Sequence, residues 1–254
     1  SLRNDSLEIV TLPNTLETID GMALAENAIS EISFPESITS IGSYALYNNS
    51  LTSVVVPDVP IGDGAFGSNN ISSVVVPETI TNIVTSMFFN NILTSVDIPD
   101  TVTSLGDYCF AENSISGSLT LPPALETIGT HAFENNAITG SLTIPDTVET
   151  IGLRAFSGNS VSSVTLPDNA LFTSIEARLL DSNSLTSLTI PSTVETIGFR
   201  SFFNNSIGSI TIPDSVTDIG GRAFEGNTAT SLTLGNNVAT IGSGAFGYNG
   251  LTDL

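Results

Sequence analysis

The chain has 254 residues, of which 40% are hydrophobic and 12% are charged, so it can build a core and is not a disordered polyelectrolyte. It carries 26 acidic residues against five arginines and no lysine, which gives a formal net charge of −21. This charge repels phosphate backbones and anionic membranes, so we expect no nucleic-acid partner. The longest apolar runs fall far short of the roughly 18 residues that indicate a bilayer span, so we expect no membrane insertion. One histidine and one cysteine, without any catalytic, phosphate-binding or metal-binding motif, predict neither an enzyme nor a cofactor site.

One sequence unit recurs eleven times along the chain, usually every 22 residues. The anchor of each copy is a proline, replaced by glycine in the last: Pro13, Pro35, Pro57, Pro77, Pro99, Pro122, Pro145, Pro167, Pro191, Pro213 and Gly235. A fixed period of this length indicates a solenoid, in which each copy buries its apolar face against its neighbours. We therefore predict a single solenoid over residues 1–254. Residues 251–254 read as the start of a further copy, so we expect the chain to be a piece of a longer protein.

Within a copy, the first predicted element is a strand that ends at the proline. In the segment Leu185–Pro191, apolar and hydroxylic residues alternate before the anchor, which is typical of a half-buried strand. Proline lacks an amide hydrogen and closes the strand. A short segment such as Val194–Gly198 follows, in which we interpret the glycine as permitting a second turn of the backbone.

The next element is a buried aromatic position preceded by a small residue. Phenylalanine or leucine fills this position in every copy, and we expect the phenylalanines to stack in the core. Cys109 takes the place of the small residue, so we predict a buried, inert thiol. Each copy then ends in an asparagine, and we expect these side chains to hydrogen-bond the turn backbones of neighbouring rungs.

The copy that runs from Asn183 through Pro191 to Phe202, with the pattern Asn-x-Leu-Thr-Ser-Leu-Thr-Ile-Pro, resembles the leucine-rich repeat, specifically its BspA-like bacterial and protist subclass. The resemblance covers essentially the whole chain, although copies in that subclass often end in cysteine where this chain has asparagine. It implies a leucine-rich-repeat solenoid with an α/β-type repeat, mostly β with short helical or 3-10 turns, about eleven rungs and one parallel sheet on the concave face.

The same resemblance implies a secreted or cell-surface protein that acts in adhesion. From it we predict a non-enzymatic, monomeric binding module that recognises an extracellular protein or an acidic glycan. The alternative is a rigid structural spacer without a specific ligand.

Five basic residues fall at the equivalent position of five successive copies, and we call them the cation file: His131, Arg154, Arg178, Arg200 and Arg222. With rungs about 4.8 Å apart, the file would span about 19 Å on an otherwise acidic body. Guanidinium groups pair bidentately with carboxylates, so the file is a candidate site for acidic protein segments, uronic-acid glycans or sialic acid. In the competing interpretation, the file neutralises carboxylates of the protein itself, for example Glu134, Glu149, Asp181, Glu195 or Glu225.

A weaker hypothesis concerns the hydroxylated side of the predicted strands. Its candidate residues are Thr143, Thr165, Thr189, Thr211, Ser163, Ser187 and Ser209. This face either contacts a glycan or protein, orders water, or carries residues that simply suit the solvent side of a strand. An acidic residue also follows most anchors, as at Asp146 and Asp214, but no calcium-binding loop motif is present, and a turn role is favoured over a metal site.

Overall fold

The computed structural model describes residues 1–252 and shows a parallel β-solenoid of about ten turns, so the predicted fold class is confirmed. The strands of the described residues are, in chain order, β1 to β17: Thr18–Ile19, Ser40–Ile41, Ser53–Val55, Ser73–Val75, Asn82–Ile83, Ser104–Leu105, Ser116–Gly117, Thr127–Ile128, Ala137–Thr143, Thr150–Ile151, Ser160–Thr165, Ser174–Ile175, Thr196–Ile197, Ser209–Thr211, Asp218–Ile219, Ser231–Thr233 and Thr240–Ile241. Within this range the chain forms turns where short helical or 3-10 segments are predicted. The further copy predicted at residues 251–254 lies partly outside the described residues.

The strands lie in two parallel files along the solenoid. The proline file precedes the anchors and contains β3, β4, β7, β9, β11, β14 and β16, and it corresponds to the predicted sheet. The isoleucine file contains the other ten strands, one in each copy except the third, where Ile61 forms a single bridge to Ile41. This second file is not predicted, because two-residue strands are too short to show an alternating pattern. Residues 185–190 have the predicted alternation but form no ladder.

The core contains the predicted stack of phenylalanine rings. Phe88 lies between Phe66 and Phe110 with centroid distances of 5.9 and 5.6 Å, and the ring planes differ by 14° and 12°. The stack continues to Phe156 and, beyond a gap where Leu180 takes the position, resumes at residues 202–246. Its buried rings supply much of the apolar area that makes each turn stable only against its neighbours.

Asparagine side chains connect the turns, as predicted. The Nδ2 of Asn69 donates to Leu46 O of the preceding turn (3.0 Å) and to Phe66 O of its own turn (3.1 Å). Its Oδ1 accepts the backbone N–H of Leu51 (3.0 Å). An asparagine of each of the eleven copies donates to a carbonyl of the preceding turn and to one of its own turn, so every amide satisfies backbone groups of two turns.

The glycine after the isoleucine file is required by the closeness of the preceding turn. A Cβ on Gly152 would lie 2.4 Å from Thr130 N, and one on Gly198 would lie 2.5 Å from Ala177 N. Neither glycine has a left-handed φ, so the interpretation that it permits an unusual turn is wrong. The constraint is steric and acts between neighbouring turns rather than within one.

Left-handed backbone occurs instead at two other positions of each turn, four residues apart. The first position carries Met22, Tyr44, Gly64, Ser86, Tyr108, His131, Arg154, Arg178, Arg200, Arg222 and Gly244. The second carries Glu26, Asn48, Ser68, Asn90, Glu112, Asn135, Gly158, Ser182, Asn204, Gly226 and Tyr248. Asparagine and glycine tolerate this conformation best, and they occupy most of the second position but only two sites of the first.

Candidate functional site

The cation file occupies the first left-handed position on five successive turns. The φ angle is 60° at His131 and lies between 55° and 58° at the four arginines. Each backbone N–H donates to a carbonyl of the following turn, as from Arg154 to Ala177 (3.1 Å) and from Arg200 to Gly221 (3.1 Å). The repeat therefore aligns the five backbones, and the side chains leave the solenoid from equivalent points.

Glu134 pairs with two members of the file. Its Oε1 accepts a hydrogen bond from Arg154 Nη1 (3.0 Å), and its Oε2 lies 3.7 Å from His131 Nε2. The imidazole also stacks on Tyr108, with ring centroids 4.4 Å apart. Burial lowers the pKa of His131, and Arg154 adds to the effect, although Glu134 and Asp107 favour the charged form. The imidazole is therefore neutral at neutral pH, and the arginines alone then carry the charge of the file.

Two further arginines face a carboxylate three residues later in their own turn. The Nε of Arg178 lies 4.0 Å from Asp181 Oδ2, and the Nε of Arg222 lies 3.4 Å from Glu225 Oε2. Both carboxylate side chains are nearly buried, whereas the arginines are 27% and 48% exposed. These contacts agree with the interpretation that the file neutralises carboxylates of the protein.

Arg200 differs from the other arginines of the file, because no carboxylate of residues 1–252 lies within ion-pair distance of it. The residue three positions later is Phe203 rather than an acid. The guanidinium carbon lies 4.5 Å from the centroid of Phe203 and 5.3 Å from that of Phe199. Its Nε is buried without a hydrogen-bond partner in this range. Glu149 and Glu195, the remaining carboxylates considered as partners, form no ion pair with any described residue.

The structure brings together only part of the hydroxylated face. Thr143 and Thr165 are register partners in β9 and β11. Thr189 and Ser187 lie in residues 185–190, which form no ladder, so the file of hydroxyls is interrupted there. The exposed candidates are Thr143, Thr165, Thr189, Thr211, Ser187 and Ser209, and Ser163 is half-buried.

Comparison with protein families identifies the repeat. A family model for the BspA type leucine-rich repeat region matches residues 1–116, 59–159 and 126–252. The chain belongs to the BspA-type leucine-rich repeat family. Solenoids of this kind are generally non-enzymatic binding scaffolds. A search of curated protein sequences finds no match.

Several solved structures have a fold similar to that of this chain. A leucine-rich repeat protein from Bacteroides ovatus ATCC 8483 matches with a TM-score of 0.72 at 21% identity, over 98% of this chain and 72% of its own. A leucine rich cell surface protein from Faecalibacterium prausnitzii A2-165 matches with a TM-score of 0.64 at 24% identity, over 94% of this chain and 70% of its own. The pneumococcal vaccine antigen PcpA gives a TM-score of 0.57 at 17% identity, over 93% and 67%. These identities support the fold alone.

The acidic residues after the anchors and Cys109 of this BspA-type chain occupy positions that a structural role explains. Some acidic residues after the anchors accept hydrogen bonds from the next turn, as Asp146 does from the N–H of Asp168 (3.0 Å) and Asp214 from the N–H of Asn236 (2.7 Å). Within residues 1–252, no group of three or more His, Cys, Asp or Glu side chains is arranged to hold a metal ion. Cys109 is buried as predicted, and burial raises the pKa of its thiol. None of the described residues belongs to a helix long and apolar enough to cross a bilayer.

The aromatic residues around the cation file are not predicted by the sequence pattern. Phe199 and Phe203 lie beside Arg200, the fourth member of the file, and Tyr108 stacks on His131, its first member. One feature of the sequence does set the turn of Arg200 apart from its neighbours. At the third position after the file residue, the neighbouring turns have Asp181 or a glutamate, and the turn of Arg200 has phenylalanine instead.

Proposed function

We propose that this BspA-type solenoid is a non-enzymatic recognition module that binds an acidic extracellular protein or glycan through the cation file. The observation that supports the proposal is the placement of every basic residue except Arg3 in a single file on a body of net charge −21. Guanidinium groups recognise carboxylates in a bidentate manner, so such a file offers a local positive field within a repulsive surface. Membership of this family is consistent with a secreted or surface location.

The backbone of the file gives the proposal further support. A non-glycine residue in the left-handed region costs about 1 kcal/mol, and glycine removes most of this cost. At the second left-handed position the chain frequently uses asparagine or glycine, as at Asn135 and Gly158. At the first position nine of the eleven turns keep a non-glycine residue, and in four consecutive turns it is arginine, so the strain is accepted along this whole file, including the turns that present the charge. Retained strain of this kind is a reason to look for function.

A rigid spacer is the second candidate, and the ion pairs of the file favour it. Glu134, Asp181 and Glu225 occupy part of the hydrogen-bonding capacity of three arginines. These carboxylates are nearly buried, so a ligand carboxylate that took over one of the arginines would leave an acid of the protein without its partner, which opposes binding at these three positions. The hydroxylated face, represented by Thr165 and Thr211, is the weaker candidate surface and would act independently of the file.

The proposal is tested with the variant R154Q/R178Q/R200Q/R222Q, in which the file loses its charge and keeps most of its volume. We expect the wild-type chain to bind members of an array of immobilised matrix proteins and acidic glycans, and the variant to lose that binding. Arg3→Gln is the matched control, because Arg3 pairs with Glu26 outside the file. Thr165→Ala in the wild-type background tests the hydroxylated face. Unchanged binding by the fourfold variant, combined with a lower melting temperature, would support the spacer instead.

A further inference from the structure

Arginine and phenylalanine side chains alternate at one point of the cation file. The guanidinium carbon of Arg178 lies 5.9 Å from the ring centroid of Phe199, and that of Arg200 lies between Phe199 and Phe203 at 5.3 and 4.5 Å. We propose that these four side chains form a subsite for uronic-acid residues of a glycan, with Arg200 as the principal carboxylate ligand. This inference rests on the proposed function and specifies the ligand class of the same file.

Arg200 is the member of the file best able to accept a ligand. A guanidinium carries five N–H donors, and aromatic rings stabilise its charge without accepting all of them. The side chain of Arg200 makes no hydrogen bond to residues 1–252, and of its side-chain nitrogens only Nε is both buried and unpaired there. The terminal nitrogens thus reach the surface. Both rings lie within cation–π distance of the guanidinium carbon, and the terminal nitrogens remain available for a carboxylate, which a guanidinium can bind through two parallel hydrogen bonds.

Phe199 supplies a second contact for the same ligand. Its side chain is 44% exposed although two guanidinium groups lie beside it. The C–H groups of a pyranose ring pack well on exposed aromatic carbon, and in a uronic acid the carboxylate is attached directly to that ring. One rigid residue can therefore contact Phe199 and pair with Arg200 together. An acidic peptide presents its carboxylates on flexible side chains, each of which costs about 0.5 to 1.5 kcal/mol to immobilise.

Arg178 extends the subsite to a neighbouring sugar. Its Nε lies 4.0 Å from Asp181, the longest ion pair in the file, so the guanidinium is only loosely held by the protein. Arg178 and Arg200 are on adjacent turns, which are separated by about 4.8 Å, a length comparable to one unit of an extended uronate chain. Two consecutive uronic acids can thus meet two consecutive arginines, with Phe199 between them.

The test measures binding of an oligogalacturonate of four sugars by isothermal titration calorimetry. We expect the wild-type chain to bind it, and its fully methyl-esterified form to bind at least about tenfold more weakly, because the ester keeps the rings and removes the charge. Arg200→Gln and Arg200→Lys should each weaken binding by about tenfold or more, since lysine retains the charge but not the planar fork. Arg3→Gln is the matched control, because Arg3 pairs with Glu26 outside the cation file, and it should change the affinity by less than about twofold.

Other outcomes separate the inference from the function on which it rests. Equal losses for R200Q and R3Q, or an esterified ligand that binds as well as the acid, would overturn the subsite. Binding of a hexaglutamate peptide but not of the oligogalacturonate, with loss in the fourfold variant, would overturn the sugar assignment and leave the proposed function intact. Absence of binding to any acidic probe would overturn both. The ester comparison uses the wild-type chain, so it remains decisive even if a variant folds poorly.

Discussion

Replacing one asparagine of the column should reveal how the turns share their hydrogen bonds. In Asn69→Ala the N–H of Leu51 loses its acceptor, which lies at 3.0 Å in the wild-type chain. The carbonyls that Asn69 serves are less affected: Leu46 O still accepts from Asn49 (3.1 Å), and Phe66 O still accepts from Asn91 (3.0 Å). The substitution therefore strands one buried donor instead of four polar groups.

The expected loss of stability follows from the one buried donor that the substitution leaves unsatisfied. A buried unsatisfied donor costs about 1 to 3 kcal/mol, and the lost bonds to shared carbonyls add about 1 kcal/mol. We expect Asn69→Ala to lower the free energy of unfolding by about 3 kcal/mol, measured by urea denaturation followed by circular dichroism. The adjacent Asn70→Ala is the matched control, because Asn70 is exposed and its side chain makes no hydrogen bond to residues 1–252. It should cost less than about 0.5 kcal/mol.

An isosteric replacement separates geometry from hydrogen bonding. Asn69→Asp keeps the acceptor for Leu51 N–H but replaces the donor with an oxygen that faces the carbonyls of Leu46 and Phe66. At neutral pH this variant should be less stable than Asn69→Ala, and it should regain stability in acid, where the protonated carboxyl can donate again. Equal stability of the alanine variants at positions 69 and 70 would refute the role of the column.

Three other stability and reactivity predictions, and one on ligand binding, follow from the same structure. Gly152→Ala should cost more than about 3 kcal/mol in urea denaturation, because its Cβ would lie 2.4 Å from Thr130 N, whereas Gly208→Ala has nothing within 4 Å and should be nearly neutral. Cys109 should resist a thiol reagent in the folded chain and react at the rate of unfolding; fast labelling of folded protein would contradict its burial. His131 has a lowered pKa in the folded state, so it should reduce stability as pH falls below its unfolded value of 6.5 toward the folded pKa, and replacement by glutamine should flatten that part of a melting profile. Binding of an anionic ligand should be unchanged or strengthened as salt rises to about 0.1 M, because a Debye length of about 10 Å screens the repulsive body more than the contact pairs, and a steep decrease in a salt titration would argue against the file as the site.

Features that recur in every copy can be predicted from this sequence. The phenylalanines of the stack, the asparagines of the column and Cys109 each lie at a fixed position of the repeat. Because the repeat occurs eleven times, a residue preference that is weak in one copy becomes a clear prediction. The role of the glycine at positions such as Gly152 could not be inferred, because its constraint comes from the backbone of another turn. A single strand of two residues likewise carries no recognisable periodicity.

The candidate site was predictable in position but not in detail. The alignment of the basic residues is visible in the sequence. The ion-pair partner of each arginine depends on the conformation of its long side chain, which the sequence does not give. Arg154 reaches back to Glu134 of the preceding turn, while Arg222 pairs within its own turn. The distinct surroundings of Arg200 arise from one difference, Phe203 where both adjacent turns have an acid, Asp181 and Glu225, and its meaning emerges only when the distances are known.

The sharing of each carbonyl between the amides of successive copies makes all junctions chemically alike. Excision of residues 192–213 would join Pro191 to Asp214 and recreate an ordinary junction, while the body would shorten by about 4.8 Å. Duplication or deletion of one copy in the gene can therefore lengthen or shorten the solenoid by one turn at a time. The packing of the core and the hydrogen bonds between turns stay the same.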